Sequence, residues 1–480
     1  MVSPGKSAGR EALIADLVAR LGPEAVAASP EDVLVYECDG QPLLQARAWA
    51  VVFPRGTQDV AAAVAVCRAH GAPFVARGAG TGLSGGALAR EGGVVFAMNR
   101  MNRILSIDLP NGRAEVEPGA VNLGLTRAVA PQGFYFAPDP SSQSVCTIGG
   151  NVAHNAGGPH TLKYGVTVNH VLGFEVVLPD GEIVEIGGAD RPGYDLAGLI
   201  SGSEGTLGIL TRITVKLLRR PQAVRTLLAA FPTIDAASRA VTGIVGAGVV
   251  PAALEMIDST VVSALEAAFG LRYPEGAGAM LVAEADGPEA GIDEEAGKMA
   301  AVCRECGAIE VRLARDDAER TQVWTARKKA FAALGRITPN YSTQDGVIPR
   351  TKLPEVLGRI ADVGSRHGLR IANVFHAGDG NLHPCIMFDD REPGMRERVF
   401  EAGEEILRIC VELGGSLTGE HGIGFEKRGK MRLMFSDADL EAMARLRAAF
   451  DPAGLCNPGK VLPGGGGCTD SRLRAHQVAS

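Results

Sequence analysis

Arg77-Gly-Ala-Gly-Thr-Gly-Leu-Ser-Gly-Gly86 is the stretch of sequence that decides the fold. It lies between two short apolar runs, each of which is typical of a buried strand. Gly80, Gly82 and Gly85 have the spacing of the dinucleotide-binding fingerprint, but that fingerprint directs a pyrophosphate to the N-terminus of a helix, and no helical pattern follows. The sequence therefore argues against a Rossmann unit and predicts a glycine-rich loop whose backbone amides approach a diphosphate.

Two further glycine-rich tracts follow the first. One contains Thr147-Ile-Gly-Gly-Asn151 and Asn155-Ala-Gly-Gly158, and the other is Gly202-Ser-Glu-Gly-Thr-Leu-Gly208, which precedes an alternating strand pattern. Glycines in such numbers indicate that backbone packs closely against a large flat or extended ligand. A flexible surface loop is the alternative reading for the first tract. Three such loops in one α+β region predict a dinucleotide held along much of its length.

Metal chemistry is indicated by a different pair of segments, His376-Ala-Gly-Asp-Gly-Asn-Leu-His383 and Gly419-Glu-His-Gly422. Apolar runs on both sides of the first segment read as strands, so we expect His376 and His383 to face each other across a hairpin. Three imidazoles and a carboxylate are the ingredients of a divalent metal site with a base beside it. The alternative is that His376 and His383 only cap backbone groups near a turn. The presence of a second pair, Glu420-His421, argues against that alternative.

Composition bounds the class of protein. With 480 residues, 46% of them hydrophobic, the chain can form two or three cored units. A net charge of -7 without any block of lysine or arginine argues against nucleic acid as a partner. No apolar run approaches the roughly 18 residues of a membrane span, so we expect at most peripheral membrane association. The N-terminus lacks the features of a targeting segment and the nine scattered cysteines read as reduced thiols, which together predict a cytoplasmic location.

Beyond residue 220 long helical patterns alternate with single strands, which predicts a second domain built as an antiparallel α+β layer. On its pattern alone, Arg327-Lys-Lys329 reads as a surface charge run. Cys303-Arg-Glu-Cys306 has no second pair at metal-site spacing and reads as ordinary helix residues. The glycines and polar residues of 464–480 predict a disordered tail.

Taken together, five motifs resemble those of the FAD-linked 2-hydroxy acid dehydrogenases, with the nearest likeness to the flavin-binding catalytic subunits of bacterial glycolate oxidases. The resemblance runs over residues 10–463 and rests on Arg77 to Gly86, Gly202 to Gly208, Asn373 to His383, Gly419 to Gly422 and Asn457-Pro-Gly-Lys460. The histidine hairpin with Gly-Glu-His-Gly is its most specific part.

This resemblance implies an α+β fold in which a two-part FAD-binding domain of the vanillyl-alcohol oxidase type carries an antiparallel α+β cap domain. It assigns residues 1–220 to the FAD-binding domain and residues 221–418 to the cap, which carries the substrate and metal site. Residues 419–463 would form a C-terminal segment that returns to the flavin site.

Site residues are implied in the same way. His376, His383 and Glu420 are expected to hold one divalent metal (Zn, Mn or Fe), with His421 as the general base. Arg327 matches the arginine that pairs with the substrate carboxylate, which replaces the surface reading for that residue. The residues expected to contact FAD are Arg77, Gly78, Gly80, Thr81, Gly82, Leu83, Pro138, Asp139, Gly149, Gly150, Asn155, Gly158, Gly202, Glu204, Gly205, Ile209 and Asn457. Thr81 stands where some relatives carry a histidine that tethers FAD, so noncovalent FAD is expected.

The implied function is FAD-dependent oxidation of a small 2-hydroxy acid, glycolate or D-lactate, to the 2-oxo acid, with hydride transfer to the flavin. An iron–sulfur or second flavin-fold subunit would take the electrons and could hold the chain peripherally on the inner face of the membrane. A D-2-hydroxyglutarate or other D-2-hydroxy acid dehydrogenase is an alternative. So is a non-catalytic flavin-binding electron-transfer subunit, and a metal hydrolase without flavin would leave the glycine loops unexplained.

Overall fold

The first glycine-rich loop joins two parallel strands of a small N-terminal sheet. A computed structural model describes residues 4–188 and 193–464 of the chain. The sheet has the strand order β1-β2-β4-β3, with both pairings to β4 parallel. Its strands are β1 (Val26–Ala27), β2 (Ala50–Val52), β3 (Phe74–Arg77) and β4 (Val94–Ala97), and its helices are α1 (Pro4–Leu21), α2 (Pro30–Leu34) and α3 (Thr57–Ala69). Residues 78–93 contain no helix, as predicted.

An antiparallel sheet of five strands follows, in the order β5-β6-β10-β8-β9. Its strands are β5 (Ile104–Asp108), β6 (Arg113–Val116), β8 (Val171–Val177), β9 (Ile183–Gly187) and β10 (Ile209–Lys216); β7 (Phe134–Tyr135) pairs separately with β11 (Leu218–Arg219). The connecting helices are α4 (Asn122–Val129), α5 (Ile148–His154), α6 (Thr161–Tyr164) and α7 (Leu196–Ile200). The sequence reading missed α5, because the two glycines in its first turn disfavour a helix; the Thr147 side chain caps it by accepting from the Gly150 amide.

The cap contains a nine-stranded antiparallel sheet. Its strands are β12 (Ala223–Phe231), β13 (Ala253–Asp258), β14 (Ala279–Gly287), β15 (Glu310–Leu313), β16 (Asn340–Thr343), β17 (Gly346–Val347), β18 (Arg370–His376), β19 (Asn381–Leu382) and β20 (Pro384–Phe388). Its helices are α8 (Ile234–Gly246), α9 (Ser259–Phe269), α10 (Ile292–Glu305), α11 (Asp317–Lys328), α12 (Ala330–Leu334), α13 (Leu353–His367) and α14 (Met395–Glu412). Hydrophobic clusters pack on both faces of this sheet, which explains why β13, β14 and β20 are buried along nearly their whole length.

The C-terminal segment returns to the first sheet. After α15 (Asp437–Phe450), the Phe74 amide donates to the Leu455 carbonyl (2.8 Å) and the Asn457 amide donates to the Phe74 carbonyl (2.7 Å). The Asn457 side-chain amide donates to the carbonyls of Gly86 (2.9 Å) and Glu204 (2.8 Å). One asparagine therefore ties the first glycine loop, the third glycine loop and the C-terminal segment together.

Helix α6 fixes the cap against the two N-terminal sheets. His160, just before it, lies between Asp139 (2.7 Å) and Glu284 of the cap (3.5 Å). Tyr164 donates its hydroxyl to Asp286 of the cap (2.7 Å). A Cβ on Gly378 would lie 3.0 Å from the Leu162 side chain, so α6 also packs against the hairpin that carries the histidines.

The predicted α+β fold class is confirmed. The proposed division at residues 220 and 418 stays a prediction, and the predicted disordered tail falls, from residue 465 on, outside the described residues. Among the described residues, no helix combines the length and the apolarity needed to cross a membrane.

Candidate active site

The histidine hairpin is built from β18 and β19. His376 ends β18 and pairs with Asn381, and the imidazoles of His376 and His383 lie edge to face with centroids 5.1 Å apart. Gly380 forms the turn with φ 80°, and a Cβ there would lie 2.1 Å from the Ile348 carbonyl oxygen. Only glycine fits this position, so the glycines of the motif serve the close approach of backbone to backbone.

Three candidate metal ligands converge beside the hairpin. Nε2 of His376 lies 3.3 Å and Nε2 of His383 lies 3.1 Å from Oε1 of Glu420. No more than 11% of any of the three side chains is exposed. The second carboxylate oxygen, Oε2 of Glu420, is buried and has no hydrogen-bond partner among the described residues. Two imidazoles and a carboxylate with an unsatisfied oxygen fit a divalent cation well.

Both histidines are held from their other ring nitrogen. Nδ1 of His376 lies 2.7 Å from Oε1 of Glu255, and Nδ1 of His383 lies 3.3 Å from the Gln344 carbonyl oxygen. Such partners fix the tautomer and leave Nε2 to a metal. The sequence reading missed Glu255. Its signal was an acidic residue in the middle of strand β13, between Leu254 and Met256; its side chain is 1% exposed.

The His421 imidazole stacks on that of His383, with ring centroids 4.9 Å apart and planes at 3°. Burial lowers the pKa of His421 to about 4, although the Asp345 carboxylate opposes this shift. At neutral pH the ring is therefore uncharged and can accept a proton. Asp345 was also missed from the sequence; its carboxylate accepts from the amides of Gly419, Glu420 and His421.

Arg327 is buried in the cap, with 6% of its side chain exposed. Its Nη2 lies 2.5 Å from Oε2 of Glu255, and its Nε has no hydrogen-bond partner among the described residues. Burial would raise the pKa of Glu255, but His376 and Arg327 hold it below the usual value. Arg327 and Glu255 both line a cavity of about 400 Å³ in the cap, and neither lines the cavity that contains the glycine loops. Glu255 thus connects Arg327 to the candidate metal ligand His376.

A larger cavity, of about 480 Å³, lies between the glycine loops and the cap. Nine of the predicted FAD contacts line it: Gly78, Gly80, Thr81, Gly82, Leu83, Gly149, Gly150, Glu204 and Gly205. His383, Glu420 and His421 line the same cavity. The structure thus brings the glycine loops and the metal-site residues to one space.

The other eight predicted FAD contacts do not line this cavity. Asp139 pairs with His160 (2.7 Å), the Asn155 carbonyl group Oδ1 accepts from the Val168 amide (2.8 Å), and the Arg77 guanidinium lies over the Tyr36 ring (5.6 Å). Pro138, Gly158, Gly202, Ile209 and Asn457 likewise make packing or backbone contacts around the loops.

Several lining residues were missed from the sequence. They are residues 40–43, Ser142 and His154 on the side of the glycine loops, and Phe331, Asn340 and Tyr341 on the cap side. Residues 40–43 lie in an irregular stretch with no motif, and the cap residues are distant in sequence from every motif. Only their aromatic and small polar types, typical of ligand pockets, could have indicated them.

The residue types that line the cavity suit a flavin dinucleotide. Its wall combines small residues from three loops, which let backbone approach a ligand, with apolar and aromatic cap residues that suit a flat ring system. A Cβ on Gly78 would lie 2.3 Å from Thr147 Oγ1, so the first loop packs directly on the start of α5.

Two family models match the chain. The model for the C-terminal domain of FAD linked oxidases matches residues 220–461, and the model for an FAD binding domain matches residues 48–187.

Curated relatives match over most of their length. The chain is 49% identical over 435 residues to the glycolate oxidase subunit GlcD of Escherichia coli (strain K12), covering 90% of this chain and 87% of that protein. It is 40% identical to the GlcD subunit of Bacillus subtilis (strain 168), covering 92% of this chain and 94% of that protein. It is 34% identical to a D-lactate dehydrogenase of Anaerostipes hadrus, covering 87% and 90%.

A similar solved structure shows the same fold. Substrate-bound p-cresol methylhydroxylase superposes with a TM-score of 0.79 at 17% identity, covering 96% of this chain and 97% of that one.

Proposed function

This chain belongs to the family of FAD-linked oxidases, and from that premise we propose how its residues oxidise a small 2-hydroxy acid. The enzyme is an FAD-dependent hydroxy acid oxidase or dehydrogenase, and its relatives act on glycolate and D-lactate by name. The reaction removes a proton from the 2-hydroxyl and a hydride from the α-carbon, which leaves the 2-oxo acid. FAD, when bound, accepts the hydride.

The observation that carries the proposal is the convergence of His376, His383 and Glu420, the last two of which line the same cavity as the glycine loops. These three residues would hold one divalent ion, Zn, Mn or Fe. Such an ion supplies Lewis-acid polarisation of the substrate hydroxyl, which lowers its pKa. Glu255 and the Gln344 carbonyl hold the two histidines in the orientation that this role needs.

His421 is proposed as the base that takes the hydroxyl proton. Its ring stacks on His383, lines the same cavity and is uncharged at neutral pH because of its burial. A ring nitrogen within hydrogen-bond reach of the hydroxyl is what general base catalysis requires. The alternative group of Asp345, His383 and His421 could also approach a cation, but Asp345 is already occupied by hydrogen-bond donors.

Arg327 is proposed to pair with the substrate carboxylate. A buried guanidinium that has an unsatisfied Nε keeps donors for a second carboxylate beside Glu255. The aromatic cap residues Phe331 and Tyr341 line the cavity and would exclude water from the reacting carbon.

The electrons must leave the reduced flavin. Because two relatives are named as subunits, we propose that a partner subunit, an iron–sulfur protein or a second flavin-fold subunit, accepts them. Peripheral attachment to the inner face of the membrane through such partners is part of the same proposal, and the chain itself is proposed to be cytoplasmic.

The test is anaerobic flavin bleaching by a panel of acids. Glycolate or D-lactate should reduce the bound flavin of the purified protein, while L-lactate and 3-hydroxypropionate serve as a stereochemical and a positional control. Reduction by D-2-hydroxyglutarate and not by the two small acids would move the assignment to the larger substrate. A flavin that none of the 2-hydroxy acids reduces would favour the non-catalytic electron-transfer subunit.

A further inference from the structure

We propose that Asp345 is the positioning residue that holds the Glu420-His421 turn in its reactive conformation. Asp345 lies between β16 and β17 and is 0% exposed. This inference rests on the proposed roles of Glu420 and His421. Asp345 lies outside the motifs and has no role of its own in the proposed reaction.

The Asp345 carboxylate collects donors from one short turn. Oδ1 accepts from the amides of Gly419 and Glu420 (3.2 Å each), and Oδ2 accepts from the amide of His421 (3.0 Å) and from the Thr418 hydroxyl. Three consecutive amides that point at one anion form a nest, a conformation which a buried backbone adopts only when an acceptor satisfies its donors.

A buried lysine balances the charge. Nζ of Lys427 lies 2.9 Å from Oδ2 of Asp345, and the lysine side chain is 2% exposed. With five donors on two oxygens, the acceptor capacity of the carboxylate is filled. Asp345 is therefore in a position to fix backbone and is not available as a metal ligand, although it lies near His383 and His421.

The turn carries two side chains with different proposed tasks. From this one backbone, Glu420 reaches Nε2 of His376 and His383, while His421 stacks on the face of His383. Any rotation of the turn moves ligand and base together. A fixed carboxylate under their amides therefore sets the distance between the proposed proton acceptor and the residues that would hold the metal.

Asp345→Asn tests this, because the side-chain NH₂ can no longer accept from the amides on both sides. We expect the rate of single-turnover flavin reduction to fall about 10–100-fold, with KM changed by less than about threefold and with metal and FAD content unchanged. Thr418→Val removes one donor to the carboxylate and leaves the three amides, and it also removes the acceptor of the Gly422 amide (2.9 Å). It should give a smaller loss in the same direction and serves if Asp345→Asn does not fold.

A double-mutant cycle with His421→Ala separates positioning from general stability. If Asp345 acts through His421, Asp345→Asn should lower the residual rate of His421→Ala by less than about threefold. The matched control is Asp451→Asn: Asp451 is a buried carboxylate that accepts from the amides of Leu455 (3.2 Å) and Cys456 (2.8 Å) in the turn after α15 and makes no hydrogen bond with the described residues 418–421. Any fold-loss in reduction rate that Asp451→Asn causes should be the same in wild type and in the His421→Ala background.

Three outcomes would overturn the inference: an unchanged reduction rate, a loss that multiplies fully in the His421→Ala background, or loss of the metal as thorough as in His376→Ala. The last would make Asp345 a ligand. A wild-type rate of flavin reduction in His421→Ala would be a different result. It would refute the proposed role of His421 as base, and the proposed positioning role of Asp345 would lose its purpose.

Discussion

The imidazole rings of His383 and His421 are parallel within 3°, with their centroids 4.9 Å apart. His383 directs its Nε2 to Glu420 (3.1 Å), whereas His421 has its backbone amide on Asp345 (3.0 Å). Two rings in contact therefore belong to two different networks, one that faces the candidate metal ligands and one that fixes the adjacent turn. On this relationship rests our proposal that His383 is a ligand and His421 the base, two roles that the motif alone does not distinguish.

Glu420→Gln should lower metal content and flavin reduction together. The amide is neutral and a weaker ligand than a carboxylate, so the two histidines lose the charge that completes the site. Elemental analysis beside stopped-flow reduction measures both quantities, and added metal should recover part of the rate. Glu412→Gln, which changes a surface carboxylate paired with Arg359 (2.6 Å), is the control and should retain both. Full metal with a full rate in Glu420→Gln would exclude Glu420 as a ligand.

Arg327→Lys should raise KM for the hydroxy acid at least about tenfold, because an ammonium cannot make the bidentate contact of a guanidinium. The lysine keeps a positive charge beside Glu255, which avoids the roughly 3–5 kcal/mol cost of leaving a buried carboxylate unpaired. Steady-state kinetics on Lys328→Ala, the exposed neighbour, provide the matched control. An unchanged KM in Arg327→Lys would limit Arg327 to its structural pair with Glu255.

FAD should be noncovalent, because Thr81 lines the cavity where some relatives carry a tethering histidine. Acid precipitation should release all the flavin into the supernatant. Another imidazole does line the cavity: His154 donates Nδ1–H to the His421 carbonyl (3.1 Å). Flavin retained in the wild-type pellet but released from His154→Gln would contradict the prediction and identify His154 as the tether.

The contribution of His160 to stability should fall as pH rises. Burial alone would lower its pKa, but Asp139 and Glu284 raise it to about 10, so the folded state holds the proton more tightly than the unfolded chain, whose histidine pKa is about 6.5. The contribution is therefore complete below about pH 6.5 and is lost as pH approaches 10. The difference in Tm between wild type and His160→Gln should shrink over this range.

His70→Gln is the control for that measurement, since His70 also pairs with an aspartate, Asp16 (2.7 Å), whose side chain is 63% exposed. Its Tm difference should be small at every pH because solvent screens the pair. A His160→Gln difference that is constant with pH would show that His160 contributes by packing and not by charge.

The fold class and the local elements were largely accessible from the sequence. Apolar runs predicted β3 and β4, and the absence of a helical pattern after the first glycine loop correctly excluded a Rossmann unit. Helix α5 was not accessible, because its glycines disfavour a helix locally and the cap from Thr147 and the packing on Pro118 are tertiary effects.

The candidate site was accessible only in part. Glycine and histidine motifs identified residues whose types are chemically unusual, such as His376 and Glu420. Glu255 and Asp345 were not found, since a single acidic residue outside any motif carries no information about its partner until the strands are paired. Arg327 needed the family resemblance, because its sequence neighbours are exposed lysines and its burial depends on the strand β13 opposite.

The most direct test of the account is single-turnover flavin reduction by His421→Ala, with metal and FAD measured on the same sample. We predict that the variant keeps both metal and FAD and that the rate falls about 10²–10⁴-fold, the usual contribution of a positioned base. His376→Ala is the comparison and should lose the metal. If His421→Ala loses the metal as completely as His376→Ala, His421 is a fourth ligand. If the variant reduces flavin at the wild-type rate, His421 is not the base.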